Sequence, residues 1–386
     1  MPDRPVYLDY AATTPTDPRV VEAMLPYFTE VFGNPNSLYT LGREAMRAHE
    51  DARERVAASI GAGRPDEVIF TSGGTESDNT AIIGLATVGG RSSGHLVVSA
   101  FEHHAVLDPA SWLCTRGFEI TELKPRANGV IHPDDLAAAM RDDTVLVSVM
   151  HGNNEIGTLQ PLAELAVVAH ERGALLHTDA AQTVGKVPFD VRALGVDAAT
   201  LTGHKFYAPK GTGALYVREG LPLMPYLMGG GQERKRRSGT QNVAGSVALA
   251  TALELMDAER AEEAPRLAAL RDRIASFILA TVTDVRVNGA DAPERLPHIV
   301  NLAFSGVSGE DILLRLDHAG FEVATGSACQ SGSPEPSYVL LAIGCPRDLA
   351  LGAVRVSLGR YTTEEDIERF LPALVDVVTH LRRWNA

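Results

Sequence analysis

The run LTGHKFYAPKGTGALY (201–216) sets one lysine, Lys205, between a histidine and an aromatic, with glycines on both sides. A lysine ammonium is normally a solvated surface charge. In a confined setting its pKa falls, and the neutral amine becomes a nucleophile for a carbonyl carbon. Four further stretches carry residue types that such chemistry needs. SGGTESDN (72–79) leads into the helix-forming TAIIGLA. Its glycines let a ligand approach the backbone, and a helix start offers free N–H groups to a phosphate. The pattern is neither a Walker loop nor GxGxxG, and a plain turn is the alternative. His103 and His104 follow HLVVSAFE. An imidazole there could stack on a flat ligand or move a proton, or be an ordinary packed or exposed histidine. HGNNEIG (151–157) is a polar turn with amide side chains, and DAAQTVG (179–185) presents Asp179 and Gln182, where an acid is otherwise a helix cap.

Each of these stretches follows a short apolar run. EVIFT (67–71), HLVVSA (95–100), TVLVSVM (144–150) and ALLHTD (174–179) read as strands apolar on both faces, as in a sheet covered on both sides. Helical patterns separate them. The stretch 42–62 places Ala45, Ala52, Val56 and Ile60 at helical spacing, and LAELAVVAHERGA (162–174) is a second helix stopped near Gly173. Strand and helix in turn predict an α/β fold with a mostly parallel sheet, whose ligands bind beyond the C-terminal ends of the strands. The chemistry-bearing residues therefore gather at one edge. A lysine amine, an acid, a stacking histidine and a phosphate cradle are together what pyridoxal phosphate requires. The lysine forms the Schiff base, and the acid keeps the pyridine nitrogen protonated so that the ring can accept electrons.

The chain has 386 residues, 45% hydrophobic and 22% charged, enough for one or two domains with a large core. A net charge of −14 and the absence of a long basic run argue against non-specific nucleic-acid binding. The dense basic run ERKRRSG (233–239) reads as a solvated loop. No segment has signal-peptide character or membrane-spanning length, which makes the cytoplasm the expected compartment and excludes a membrane partner. Cys114, Cys329 and Cys345 are odd in number and widely spaced, so neither a disulfide framework nor a metal site is expected. From about 245 the chain offers nearly 40 residues of helix-forming sequence, which Pro265 is expected to kink or break. This marks a bridge between a large domain, 16–260, and a small one made of 1–15 and 261–386.

The motifs resemble, over essentially the whole chain, the cysteine desulfurases of the NifS/IscS type. These are fold-type I pyridoxal phosphate enzymes of the aminotransferase class V group. The resemblance runs from YLDYAATTP (7–15) through FTSGGTESDN (70–79), EHHAVL (102–107), NNEIG (153–157), DAAQTVGK (179–186) and GHKFYAPKGTGALYVR (203–218). It continues through GGGQERKRRSGTQN (229–242) to GSACQSGSPEPSYVL (326–340) and VRVSLGRYTTEED (354–366). The last two blocks separate desulfurases from class V aminotransferases. The resemblance implies a large domain with a mostly parallel seven-stranded sheet and a smaller α+β domain. It implies Lys205 as the Schiff-base lysine, with Thr202, His204, Gly74 and Thr75 on the phosphate. Asp179 matches the partner of the pyridinium nitrogen, Gln182 the contact to the phenolic oxygen, and His103 (not His104) the stacking histidine. Asn154 and Arg355 match the groups that hold the substrate, Arg355 forking onto its carboxylate. Thr240 matches a phosphate contact supplied by the other subunit of a homodimer.

Cys329, in the small, polar, proline-flanked TGSACQSGSPEP, reads as lying in an exposed loop where a thiol can react. Cys345 and Cys114 read as buried small hydrophobes. In the family the cysteine at this position takes sulfur from L-cysteine, becomes a persulfide and passes the sulfur to an acceptor such as an iron–sulfur scaffold. The chain ends at LRRWNA, close after its last predicted helix, where some relatives carry a longer scaffold-docking tail. Docking by that route is therefore not expected. A selenocysteine lyase, an aminotransferase and a non-catalytic sulfur-pathway protein remain as alternatives.

Overall fold

The computed structural model describes residues 5–326 and 335–385. Cys329 lies outside the described residues. A short strand, β1 (Val6–Tyr7), comes first. Seven strands follow: β2 (Val68–Thr71), β3 (Gly94–Ser99), β4 (Phe118–Leu123), β5 (Thr144–Ser148), β6 (Leu175–Asp179), β7 (Ala198–Thr202) and β8 (Gly213–Val217). The remaining strands among the described residues are β9 (Val285–Asn288), β10 (Ile299–Phe304), β11 (Phe321–Glu322) and β12 (Ala353–Ser357).

β2 to β8 form one sheet in the order β2-β8-β7-β6-β5-β3-β4. β8 is antiparallel to both neighbours, and the other pairs are parallel. Successive residues go to opposite cores. Leu96 and Val98 pack on one side with Leu146, while Val97 and Val147 pack on the other. This period-two alternation is what a strand covered on both faces must show. Helices Gly74–Ala86 and His104–Cys114 cover the first face through Ile82, Leu85, Val106 and Leu113. Helices Thr40–Ser59 and Leu162–Glu171 cover the second through Ala52, Val56, Leu165 and Ala169. Gly173, at φ 75°, closes the latter as the sequence predicts.

A second sheet, β12-β10-β9, is antiparallel, and β1 pairs in parallel with β11. Leu270, Ile274, Leu302, Val354, Val356 and Phe370 form its core, which also takes in Val6 and Leu8 from the start of the chain. No helix among the described residues is long and apolar enough to cross a membrane.

Three expectations need correction. Pro265 does not break its helix, which runs unbroken from Val243 to Thr281. Its first half is held by the large core through Val247, Leu249 and Leu253, and its second half by the small one through Leu267, Leu270 and Ile274. Burial at both ends offsets the single hydrogen bond that proline removes. Cys114 is exposed, unlike Cys345. It follows Leu113, which takes the apolar face, and one residue further is about 100° round the helix. ERKRRSG is not a wholly solvated loop, because Glu233 and Ser238 are buried in it.

Candidate active site

The C-terminal ends of β2, β3, β5, β6 and β7 open on one edge of the large sheet, and strand order reverses between β3 and β5. A cavity of about 290 Å³ lies there, lined by residues from each of those strand ends and by Arg355 of β12. Its size is at the lower end of the roughly 300–1,000 Å³ typical of small-ligand sites.

Lys205 ends a single 3₁₀ turn, Gly203–Lys205, that follows β7 directly. Its Nζ donates to the carbonyls of Ala11 and Ala12, each at 2.8 Å. Burial lowers its pKa to about 8; the Arg355 charge adds to this and Asp179 opposes it. The amine is thus near the balance point between charge and nucleophilicity at neutral pH. Asp179 is the last residue of β6, and its Oδ1 accepts from Ala181 N at 2.8 Å. Burial raises its carboxyl, against that hydrogen bond and the charges of His103 and Lys205. Gln182 donates from Nε2 to Ala11 O at 2.9 Å and leaves Oε1 without a protein partner.

Gly74 opens the helix Gly74–Ala86, and its backbone lies so close to Thr202 that a Cβ would collide with Thr202 Oγ1. Glycine is required there for that close approach. Thr202 Oγ1 is buried with no partner. Thr75 and His204 line the same end, and His204 Nδ1 is 3.1 Å from Thr13 Oγ1. Burial and the Lys205 charge push His204 down to about 4, so its ring is neutral. His103 caps the helix His104–Cys114, its Nδ1 accepting from Ala105 N at 3.0 Å. That bond leaves Nε2 to carry the proton of the neutral imidazole. The pocket wall desolvates the ring enough to lower its pKa, although the side chain stays open to solvent at the rim.

Arg355 reaches in from β12. Nη1 donates to Asn154 O at 3.0 Å, Nη2 to Asp9 Oδ1 at 2.6 Å, and Nε has no partner. Gly74, Thr75, His103, Asn154, Asp179, Gln182, Thr202, His204, Lys205 and Arg355 therefore all meet in one cavity. Thr240 does not. It is exposed and lines a neighbouring cavity of about 150 Å³ with Ser72 and Gly213.

Asp78 belongs to the site without having been singled out by its sequence context. It lines the cavity, its Oδ1 has no hydrogen-bond partner, and it faces His177 Nε2 at 3.6 Å. Burial and neighbouring Asp179 hold its carboxyl well up. It stands four residues after Gly74, so helical spacing already put it on the helix's inner face. Four buried polar atoms on this wall thus lack a hydrogen-bond partner: Asp78 Oδ1, Gln182 Oε1, Thr202 Oγ1 and Arg355 Nε. Buried polar groups are rarely left so, and a cluster of four marks a place shaped for a polar ligand.

Fold and site together define a class. The chain belongs to the aminotransferase class-V family, which it matches over residues 6–370. It is 50% identical over 98% of its length to the cysteine desulfurase IscS of Dictyoglomus turgidum, of which it covers 96%. Among solved structures, a NifS-like protein superposes with a TM-score of 0.91 at 36% identity, over 97% of this chain and 100% of that one. SspA in complex with cysteine superposes at 0.82 with 35% identity, over 93% of this chain and 100% of that one.

Proposed function

We propose that this protein is a pyridoxal phosphate-dependent cysteine desulfurase that converts L-cysteine to L-alanine and carries the sulfur as a persulfide on Cys329. One observation carries the cofactor assignment: the unpaired wall of the cavity has the polarity that pyridoxal phosphate needs. The lining includes a helix start, Thr202 Oγ1 without a partner and His204. These suit a phosphate. The lining also includes Asp179, an acid raised by burial, which a cationic ring nitrogen would stabilise in its charged form. Lys205 and Arg355 line the same cavity. The similarity to proteins named as cysteine desulfurases, and to one solved with cysteine, supports the choice of substrate.

The cofactor supplies a carbonyl carbon for Lys205 and an electron sink for the charge left on the substrate's α-carbon. The residues do the rest. Gly74, Thr75, Thr202 and His204 hold the phosphate, with Thr240 of a second copy completing it. Asp179, Gln182, Asn154 and His103 would hold the ring. Arg355 takes the substrate carboxylate. Lys205 Nζ, with a pKa near 8, takes the α-proton and returns it. His103 Nε2 relays a second proton. The Cys329 thiolate attacks the substrate sulfur; an S–S bond forms, the C–S bond breaks, and the carbon is protonated. L-cysteine and the Cys329 thiol thus become L-alanine and the persulfide, with no external oxidant.

A homodimer is part of this proposal. Phe28, Phe32, Leu38 and Tyr39 are exposed, as are Tyr226, Leu227 and Met228. Asn36 Nδ2 donates to Gln241 Oε1 at 3.0 Å and Ser238 N donates to Leu227 O at 3.0 Å, so both segments are tied to the stretch that carries Thr240. So much uncovered apolar surface fits a face covered by a second copy. The proposal further assigns the chain a large domain, 16–260, and a small one, 1–15 with 261–386. Its compartment is the cytoplasm and its sulfur acceptor is a protein such as an iron–sulfur scaffold.

The test is mass spectrometry after one turnover with L-cysteine in the absence of reductant. Added sulfur is expected on the peptide containing Cys329. The Cys329→Ser variant is expected to stay yellow and bind L-cysteine while releasing little sulfide. Normal desulfuration by that variant, or turnover that requires a keto acid, would sink the reading.

A further inference from the structure

Glu155 is a buried acid outside the residues discussed so far. It sits in the turn 153–157 after β5, immediately beside Asn154. The turn is rigid: Asn153 Oδ1 accepts from Glu155 N at 2.9 Å and from Ile156 N at 3.0 Å, and Gly157 N donates to Asn153 O at 3.0 Å. The Glu155 carboxylate points at two segments far along the chain. Its Oε2 accepts from Ser337 Oγ at 2.6 Å. Ser337 caps the helix Tyr338–Ala342, where the same Oγ accepts from Val339 N and Leu340 N. On the other side the backbone of Gly326 lies directly on the carboxylate. A Cβ there would collide with Glu155 Oε2 and stand 3.0 Å from Ser337 Cβ. Gly326 and Ser337 flank the stretch that holds Cys329, so both stems of that stretch converge on one oxygen atom.

The same unit reaches the substrate side. Ala324, two residues before Gly326, exchanges backbone hydrogen bonds with Arg355 at 3.1 and 2.7 Å, and Arg355 Nη1 donates to Asn154 O. Resting on the desulfurase reading above, we propose that Glu155 is a positioning residue for sulfur transfer. It fastens the two stems flanking Cys329 to each other and to the turn that carries Asn154, in register with the Arg355 guanidinium. Burial raises its carboxyl to about 7, with Ser337 and Arg355 opposing. A neutral apolar side chain would be easier to bury at such a place, and what the acid adds is its acceptor oxygen.

The experiment separates placement from binding in the holoenzyme. Glu155→Ala is expected to keep the cofactor's visible band and the change in that band on adding L-cysteine. Persulfide formation on Cys329 is expected to fall roughly 10- to 100-fold, the loss that follows when a reacting group is misplaced by about 1 Å. Glu155→Gln, which keeps the shape and an acceptor oxygen, is expected to restore most of that rate. Ser337→Ala should repeat the Glu155→Ala defect, and the double variant should be no worse than either, because both act through one bond. Unchanged persulfide formation in Glu155→Ala overturns the role. So does a parallel loss of the cofactor band and of persulfide formation, which marks a general structural prop. A wild-type enzyme that binds L-cysteine but forms no persulfide on Cys329 overturns the desulfurase reading itself, and this inference with it.

Discussion

Two clusters of buried polar side chains adjoin the large sheet, and they are built on opposite plans. Around Glu233 the buried carboxylate is fully engaged. It accepts from Arg53 Nη1 at 2.6 Å, Arg53 Nη2 at 2.9 Å and Phe70 N at 3.1 Å, with His49 Nε2 at 2.8 Å. His49 Nδ1 in turn meets Ser246 Oγ at 2.9 Å. Around Lys205 four buried atoms have no hydrogen-bond partner. The titration behaviour follows. Burial alone would raise the Glu233 carboxyl, but hydrogen bonds from Arg53 and His49 pull it far below the usual range. Asp78 and Asp179, deeply buried as well, are pushed up. The paired cluster supports the backbone. Glu233, Arg234 and Lys235 hold φ of 45°, 54° and 66°, a left-handed run that non-glycine residues avoid, and the buried carboxylate anchors it. A satisfied polar cluster holds the fold; an unsatisfied one awaits a ligand.

That contrast is testable, beginning with the largest effect. Lys205→Ala should reduce alanine formation by about 1,000-fold or more while leaving the thermal midpoint of the cofactor-free protein nearly unchanged. Borohydride reduction of the wild type should label the peptide containing Lys205; a label on Lys186 would overturn the assignment. Arg53→Met should show the reverse pattern. It strands Glu233 as a buried charge and should cost about 3–5 kcal/mol in denaturant unfolding, with turnover per folded molecule much less affected. If Arg53→Met is as stable as wild type, the structural role given to this cluster is wrong.

Thr202→Val sharpens the comparison at the level of one atom. The hydroxyl has no protein partner, so the cofactor-free protein should be as stable as wild type or more so. Cofactor retention, followed by dialysis and absorbance, should weaken by about 1.5–3 kcal/mol, the worth of a hydrogen bond to a charged group. The smallest effect is in pH dependence. Glu233 has a depressed pKa, so its stabilisation is present above the ordinary glutamate value of about 4.3 and is lost as pH falls below it. Glu102, raised by burial to about 8 against bonds from Ser99 and Met150 N, behaves oppositely. Its stabilisation is present at low pH and is lost progressively as pH rises from the ordinary glutamate value through about 8. Glu102→Gln should therefore gain stability relative to wild type between about pH 5 and 9, whereas Glu233→Gln should lose its deficit only on acidification. Parallel pH profiles for the two variants would remove the distinction.

Much of the site was legible before the fold was known. Strand-length apolar runs ended where the stretches with Gly74, His103, Asn154 and Asp179 begin, and parallel strands bring their C-terminal ends to one edge. What local pattern could not supply was partnership. Glu155 read as part of a polar turn, Glu233 as part of a basic loop and Asp78 as one letter of a turn motif. Each is defined by what faces it from elsewhere.

Local sequence was enough for the element types, their order, the edge at which chemistry gathers and the residue types present there. These follow from periodicity and steric preference, which act within a few residues. Long-range packing settled that Ser337 meets Glu155 across 182 positions, Arg53 meets Glu233 across 180 and Arg355 meets Asp9 across 346. It also settled that Pro265 continues a helix and that Cys114 faces outward. The physical reason is that a buried polar group is tolerable only with a partner, and a proline in a helix only with packing on both sides. Both compensations come from chain segments that sequence proximity does not reveal.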